Sequence, residues 1–252
     1  MKSKFKLSII IPAFQEAIRI EKTLEELAAY MHKHEYADTE VVVVTADSPD
    51  GTASLARSKA KLFEHFRVVD AGPKAGKGRD VRTGMMEAHG AHRLFMDADL
   101  ATPLHHLETI RQLAEEGVDV AIAVRDLNSS HRGLRRLISG AGNLLVRVLL
   151  LPGIRDSQCG FKMFSAKAAD ELFRRQTILG WGFDMEILAI ARKLGYKIVT
   201  FPVPDWDDKP HGTFEDEVRT AALSTLGELL IISWRRLTGR YNRKTFSYEA
   251  YK

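Results

Sequence analysis

The chain has 252 residues, 45% of them hydrophobic and 28% charged, enough for one large globular domain with a real core or at most two small ones. Cys159 is its only cysteine, which excludes a disulfide framework or a cysteine-rich zinc site and fits a reducing compartment. The net charge of +4 favours anionic partners weakly and does not single out nucleic acid, which is not expected as a partner.

Residues 1–7 have the basic start of a secretory signal, but the apolar run that follows is short, is stopped by Pro12 and leads into Gln15-Glu16. Residues 7–11 therefore read as a first strand rather than a targeting segment. Ile20, Leu24, Leu27 and Met31 have helical spacing, and 41–44 is a β-branched strand. Leu55, Ala56, Ala60 and Phe63 mark a second helix, 66–69 a third strand, 81–88 a third helix and 94–96 a fourth strand. Thr102-Pro103 has the form of a helix start, with Thr as N-cap and Pro in the first turn, and 118–124 is a fifth strand. Continuous apolar strands separated by helices predict a mostly parallel sheet covered on both faces, with ligands bound outside the carboxyl ends of the strands. The second half is less regular. Leu134, Leu137, Ile138, Ala141, Leu144, Leu145, Val148 and Leu149 form a helical apolar stripe among Arg132, Arg135, Arg136 and Arg147. A second amphipathic stretch runs through Val218, Ala222, Leu226, Leu229, Leu230 and Leu237 into a basic end. No stretch of about 18 uncharged apolar residues exists, so no spanning helix is expected.

The polar segments after the strands should gather along one edge. The most informative is Arg93-Leu94-Phe95-Met96-Asp97-Ala98-Asp99, an apolar run ending in two carboxylates on alternate residues. In an extended backbone Asp97 and Asp99 point to one side and can converge on a hard divalent cation; standing alone, the pair also fits a turn with two solvated aspartates. Gly72 to Gly78 is a glycine- and lysine-rich loop before a helix, where backbone N–H groups can approach phosphate and Lys77 and Arg82 add charge; a solvated loop fits equally. Ser48-Pro49-Asp50-Gly51-Thr52 reads mainly as a turn that caps a helix and shapes a pocket floor. Trp181-Gly182-Phe183-Asp184-Met185-Glu186 sets two acids at a helix start, either as favourable helix-terminal charge or, for Asp184, as a sugar or acceptor contact. Cys159 reads as a buried filler, His105-His106 as a solvated helix face, and the nine histidines show no metal-ligand spacing.

Six segments, in order over roughly residues 7–210, resemble the inverting family-2 glycosyltransferases of GT-A fold, and most of all the dolichyl-phosphate glucose and mannose synthases. They are Ser8-Ile9-Ile10-Ile11-Pro12-Ala13-Phe14-Gln15-Glu16; Ser48 to Thr52; Gly76-Lys77-Gly78 through Val81-Arg82-Thr83-Gly84-Met85; Asp97-Ala98-Asp99-Leu100-Ala101-Thr102-Pro103; Asp156-Ser157-Gln158-Cys159-Gly160-Phe161-Lys162; and Trp181 to Glu186. The resemblance implies that Pro12, Ala13 and Glu16 border the nucleoside. It puts Lys77 and Arg82 near the donor phosphates or sugar, and Asp97 and Asp99, with Ala98 between them, on Mg²⁺ or Mn²⁺ at the diphosphate. It puts Asp156, Ser157, Gln158 and Asp184 on the sugar and acceptor side, and gives the 132–149 helix, with Arg132 and Arg135, a membrane-facing acceptor role. Three departures stand out. Thr45-Ala46 replaces a usual Asp pair, one of which helps bind the nucleoside, so the base is left open, with Asp47 one residue away. Gln15 replaces a frequent Asn, and no counterpart of the transmembrane anchors of many members of that family is expected.

These readings lead to a GT-A-like domain over 1–214 and a C-terminal amphipathic helix and basic tail over 215–252. The expected activity is metal-dependent, inverting transfer of one sugar to a polyprenyl or dolichyl phosphate. UDP-glucose is the preferred donor and GDP-mannose the second. A nucleotide-sugar-binding protein of weak catalysis is the alternative from another class. The expected location is cytoplasmic and peripheral on an anionic membrane surface, with a core element or homodimer seam as the other reading of the 132–149 stripe.

Overall fold

The computed structural model describes residues 3–125, 150–207 and 227–244. Its strands are β1 (Phe5–Ala13), β2 (Thr39–Thr45), β3 (Phe66–Asp70), β4 (Gly90–Met96), β5 (Val120–Arg125), β6 (Phe161–Ser165) and β7 (Ile198–Val203). They form one sheet in the order β3-β2-β1-β4-β6-β5-β7. The pairs β1–β2, β1–β4, β2–β3 and β5–β7 are parallel, while β6 runs antiparallel to both neighbours. The mostly parallel sheet expected from the apolar runs is therefore present, with one reversed strand inserted.

Side chains alternate across the pleat, so each strand feeds two cores. Ile10, Val42, Val44 and Phe95 pack on one face with α3 (Lys77–Glu87), α5 (Ala166–Phe173) and α6 (Phe183–Lys193). Ile9, Ile11, Val41, Val43 and Leu94 pack on the other with α1 (Ile20–Lys33), Ala56 of α2 (Thr52–Ser58) and α4 (His106–Glu115). Burial on both faces is why these strands read as unbroken apolar runs. Gly84 lets α3 lie on the sheet: a Cβ there would come within 2.4 Å of Ile10 Cγ2.

Several boundaries differ from the periodicity. The second helix stops at Ser58, and its apolar spacing continues as a 3₁₀ turn, Ala60–Leu62. The third begins four residues earlier than expected, at Lys77. Thr102 does not cap the fourth helix. It sits in a turn in which His106 and Leu107 donate to Pro103 O and Leu104 O, and α4 opens at His106. Residues 227–237 are helical. Within the expected amphipathic stripe, Leu229 is buried with Ile232 and Tyr241 in the first core, whereas Leu230 and Leu237 are exposed beside Ile231 and Trp234. The 132–149 stripe, Arg132, Arg135, Arg136 and Val218 to Leu226 lie outside the described residues. Among those described, no helix is long and apolar enough to cross a membrane.

Candidate functional site

The carboxyl ends of β1, β2 and β4 carry the loops that matter. Ala13 pairs with Thr45, and Thr45 with Asp70, so the first three strands end in register. Pro12 is half-buried and Ala13 buried at this edge; Thr45 and Ala46 are buried too, and Asp47 is exposed beyond them, its backbone N–H on Gly72 O. The 48–52 turn fastens the adjoining loop. Asp50 accepts from Ser48 Oγ, Thr52 N, Thr52 Oγ1 and Ala17 N, Ser48 Oγ accepts from Gln15 N, and Thr52 Oγ1 accepts from Glu16 N. Desolvation opposes the charge on Asp50, but these bonds outweigh it and hold its pKa down to about 2. Glu16 also pairs with Arg19. Gln15 has φ +57°, a left-handed conformation that Asn adopts more readily than Gln, which gives a physical reason for Asn at this position in the resembling family.

The two aspartates do not extend β4. The strand ends at Met96, and Asp97 to Asp99 form the turn beyond it, followed by Leu100 at φ +53°. Asp97 N donates to Gly160 O, and its carboxylate lies directly over Gly160, where a Cβ would fall 1.9 Å from Oδ2. Asp99 Oδ1 accepts from Ala101 N. Lys77, the first residue of α3, reaches across so that Nζ is 2.5 Å from Asp97 Oδ1 and 5.2 Å from the exposed Trp181 ring. Gly76 and Gly78 permit that approach: a Cβ would strike Leu179 O at 2.5 Å or Phe183 Cβ at 2.6 Å. Desolvation acts against the Lys77 charge, yet Asp97, Asp184 and Asp99 together raise its pKa.

Asp184 lies in the first turn of α6 and is buried. Its Oδ1 accepts from Lys162 Nζ at 2.6 Å, and that ammonium also donates to Cys159 O. Burial raises the Asp184 pKa, with Lys162 and Lys77 opposing and Asp97 adding to the rise. Asp97, Asp99, Asp184, Lys77 and Lys162 thus form one coupled group. With all five ionised, three carboxylates face two ammonium groups and leave one negative charge. Lys162 was missed from sequence because its partner is 22 residues away; the signal was a lysine in an otherwise apolar strand. Cys159 is buried and its thiol is pushed up to about 12 by desolvation, so it offers no thiolate.

Asp156 is buried and engaged. Arg125, at the end of β5, gives it three bonds, Nε to Oδ2 at 2.6 Å, Nη2 to Oδ1 at 3.0 Å and backbone N to Oδ2 at 3.3 Å, and Gln158 N adds a fourth at 3.1 Å. This clamp orients the loop that carries buried Ser157 and exposed Gln158. Arg82 is buried on α3, directed at Gln176 O. Glu186 ties α6 to Thr177, Ile178 and Tyr241 and is structural. Burial works against the Asp156 charge, but Arg125 outweighs it and holds the pKa below the ordinary carboxylate range. A depressed folded pKa stabilises fully above the unfolded value, about 3.9, and the contribution fades as pH falls below it toward the folded value. Asp156→Asn should therefore lower stability by about 1.5–3 kcal/mol at pH 7 and flatten the acid limb of the stability curve below about pH 4. Urea denaturation at pH 7 and pH 3 checks this; an unchanged difference between the two would show that the pair contributes nothing.

The described residues also bring together His105, His106 and Asp205, whose three ligand atoms lie within 4.8 Å of one another. The reading of His105-His106 as a solvated helix face holds for His105, which is exposed, but not for His106, which is buried, and both rings engage Asp205.

The sequence pattern of Glycosyl transferase family 2 matches residues 8–173. A dolichyl-phosphate beta-glucosyltransferase of Trichomonas vaginalis is 32% identical over 221 residues, covering 82% of this chain and 67% of the relative. One of Drosophila melanogaster is 34% identical over 206 residues, covering 75% and 63%. The aligned region thus spans about two thirds of these relatives' length. Among solved structures, mannosyl-3-phosphoglycerate synthase from Rubrobacter xylanophilus superposes with TM-score 0.73 at 18% identity, covering 98% of this chain and 80% of that one. Glucosyl-3-phosphoglycerate synthase from Mycobacterium tuberculosis, in complex with Mn²⁺, UDP and phosphoglyceric acid, superposes with TM-score 0.69 at 20% identity, covering 91% and 78%. At these identities the likeness shows the fold, which is GT-A.

Proposed function

The chain belongs to glycosyl transferase family 2, and from that premise we propose that it transfers glucose from UDP-glucose to a polyprenyl or dolichyl phosphate with inversion. The observation that carries this reading is the charged group at the carboxyl edge of the sheet, where Lys77 is held by Asp97 next to Asp184 and Asp99. The named relatives supply the sugar and the lipid acceptor.

The oxygen-only pair Asp97 and Asp99 fits a hard divalent cation such as Mg²⁺ or Mn²⁺, and the cluster's residual negative charge favours one. Bound there, the cation would neutralise charge developing on the leaving diphosphate. Lys77 would meet the diphosphate oxygens with a fixed ammonium, its proton retained because three carboxylates surround it. A phosphate monoester with second pKa near 6 is largely dianionic at neutral pH, so the acceptor needs no strong base. Asp184 is spoken for by Lys162 and serves to fix the position of that ammonium and of the α6 start rather than to remove a proton. Pro12, Ala13, Glu16 and Asp47 would border the nucleoside and Asp156, Ser157 and Gln158 the acceptor side. Exposed Leu230, Trp234 and Leu237, with Arg240, Arg243 and Lys244 beyond them, support contact with an anionic membrane surface.

One experiment tests the reading. Anionic liposomes carrying a polyprenyl phosphate are incubated with the protein and UDP-glucose or GDP-mannose, with and without divalent metal, at low and high salt. Lipid-linked β-glucose from UDP-glucose, requiring metal and weakened by salt, is the expected product. Transfer from GDP-mannose alone would overturn the donor, and donor binding without transfer from either would favour the nucleotide-sugar-binding alternative.

A further inference from the structure

His105 precedes and His106 opens α4, five residues of loop beyond the Asp97–Asp99 turn, and Asp205 follows β7 on the same edge of the sheet. Ninety-nine residues separate His106 from Asp205, yet His106 Nε2 is 2.7 Å from Asp205 Oδ1. His105 Nε2 is 3.1 Å from Oδ2 of the same carboxylate. The two imidazole rings lie 4.3 Å apart, and His106 packs on Phe201 with centroids 6.3 Å apart. Asp207 N donates to Ala101 O, so the same short stretch already bonds to the loop after Asp99. We propose that His105, His106 and Asp205 form a second metal site that takes a borderline transition cation, Zn²⁺ by preference, and fastens the loop after Asp99 to the end of β7.

The donor chemistry separates this site from the aspartate pair. Two imidazole nitrogens and one carboxylate suit Zn²⁺, Co²⁺ or Ni²⁺, whereas oxygen-only Asp97 and Asp99 suit Mg²⁺ or Mn²⁺. Zn–N and Zn–O bonds of about 2.0–2.2 Å put tetrahedral donor atoms about 3.3–3.5 Å apart. The three atoms here all lie within 4.8 Å of one another, and the two nitrogen–oxygen distances of 2.7 and 3.1 Å lie just below that spacing. Three protein donors with a fourth position left to solvent is an ordinary zinc arrangement. The inference does not depend on the transferase reading, since it rests on residues that reading leaves unused.

The test uses the full-length Asp97→Asn/Asp99→Asn protein, which removes the oxygen-only pair, titrated with Zn²⁺ by calorimetry in excess Mg²⁺ and with Co²⁺ by visible absorption. One equivalent of Zn²⁺ should bind despite the Mg²⁺, Co²⁺ should give the absorption of a low-coordinate nitrogen–oxygen site, and Zn²⁺ should raise the melting temperature. Adding His105→Ala or Asp205→Asn should weaken Zn²⁺ at least about tenfold and abolish the cobalt bands. Both side chains are substantially exposed, 62% and 43%, so these variants should fold, and circular dichroism verifies it. No saturable Zn²⁺ binding, or binding unchanged in both variants, would overturn the site and leave only the histidine–aspartate pairs.

Discussion

Asp97→Asn should reduce sugar transfer by roughly 10²-fold or more, and Asp99→Asn comparably, because each removes an anionic oxygen ligand from the proposed divalent-cation site. The fold should survive. Asp97 and Lys77 are only partly buried, and the turn keeps the Asp97 N–H bond to Gly160 O. Gly160→Ala separates geometry from charge. It alters no ionisable group, yet its methyl would sit 1.9 Å from Asp97 Oδ2 and 2.3 Å from Cγ, so the carboxylate must swing away. A displacement of about 1 Å at a reacting centre can itself lower the rate on the order of 10²-fold. EDTA should imitate Asp97→Asn in the wild type and add nothing in the variant. Initial rates at saturating donor, with melting temperatures for each protein, decide the matter. Activity within a few-fold of wild type in Asp97→Asn would remove this carboxylate from the chemistry.

The sheet was legible because its central strands are buried on both faces. Runs such as Ile9 to Ile11 and Val41 to Val44 can be little else. β6 was harder to read, since Lys162 interrupts its apolar pattern for a partner that sequence spacing does not reveal. β7 carries Thr200 and Pro202 at a sheet edge, where a missing N–H is tolerated. The Asp97–Asp99 pair was visible as a pair, but the reason given for it, alternation along a strand, was not the one that operates. The strand ends first, and the two aspartates lie in a turn followed by Leu100 in a left-handed conformation. Lys77 was visible from its glycine-flanked helix start. Its seat on Asp97 was not, because that depends on Gly76 and Gly78 meeting the 179–183 segment a hundred residues on. His106 was read wrongly for the same reason: adjacent histidines look like a solvated face until β7 brings Asp205 to them.

Lys162→Met should be the most destabilising single change in the group, by about 3–5 kcal/mol, because it leaves a buried carboxylate without its close partner. The side chains of Lys162 and Asp184 are only 1% and 4% exposed, so water cannot take over the lost contact. The same ammonium also serves Cys159 O and lies 5.2 Å from the Phe95 ring, and both contacts go with it. In a chain of this size each kcal/mol moves the melting temperature by roughly 2–4 °C, which makes the loss easy to see. The sharper measurement is the double variant Lys162→Met/Asp184→Leu. A buried ion pair replaced entirely by apolar groups of similar volume is often neutral or stabilising, so the double variant should recover most of the stability that Lys162→Met loses. It should not recover transfer, because it takes Asp184 and Lys162 out of the charged group to which Lys77 and Asp97 belong. Stability without activity would identify the pair as retained for the site rather than for the fold. Full activity in the double variant would instead make it a dispensable structural contact, and the coupled cluster would shrink to Lys77, Asp97 and Asp99.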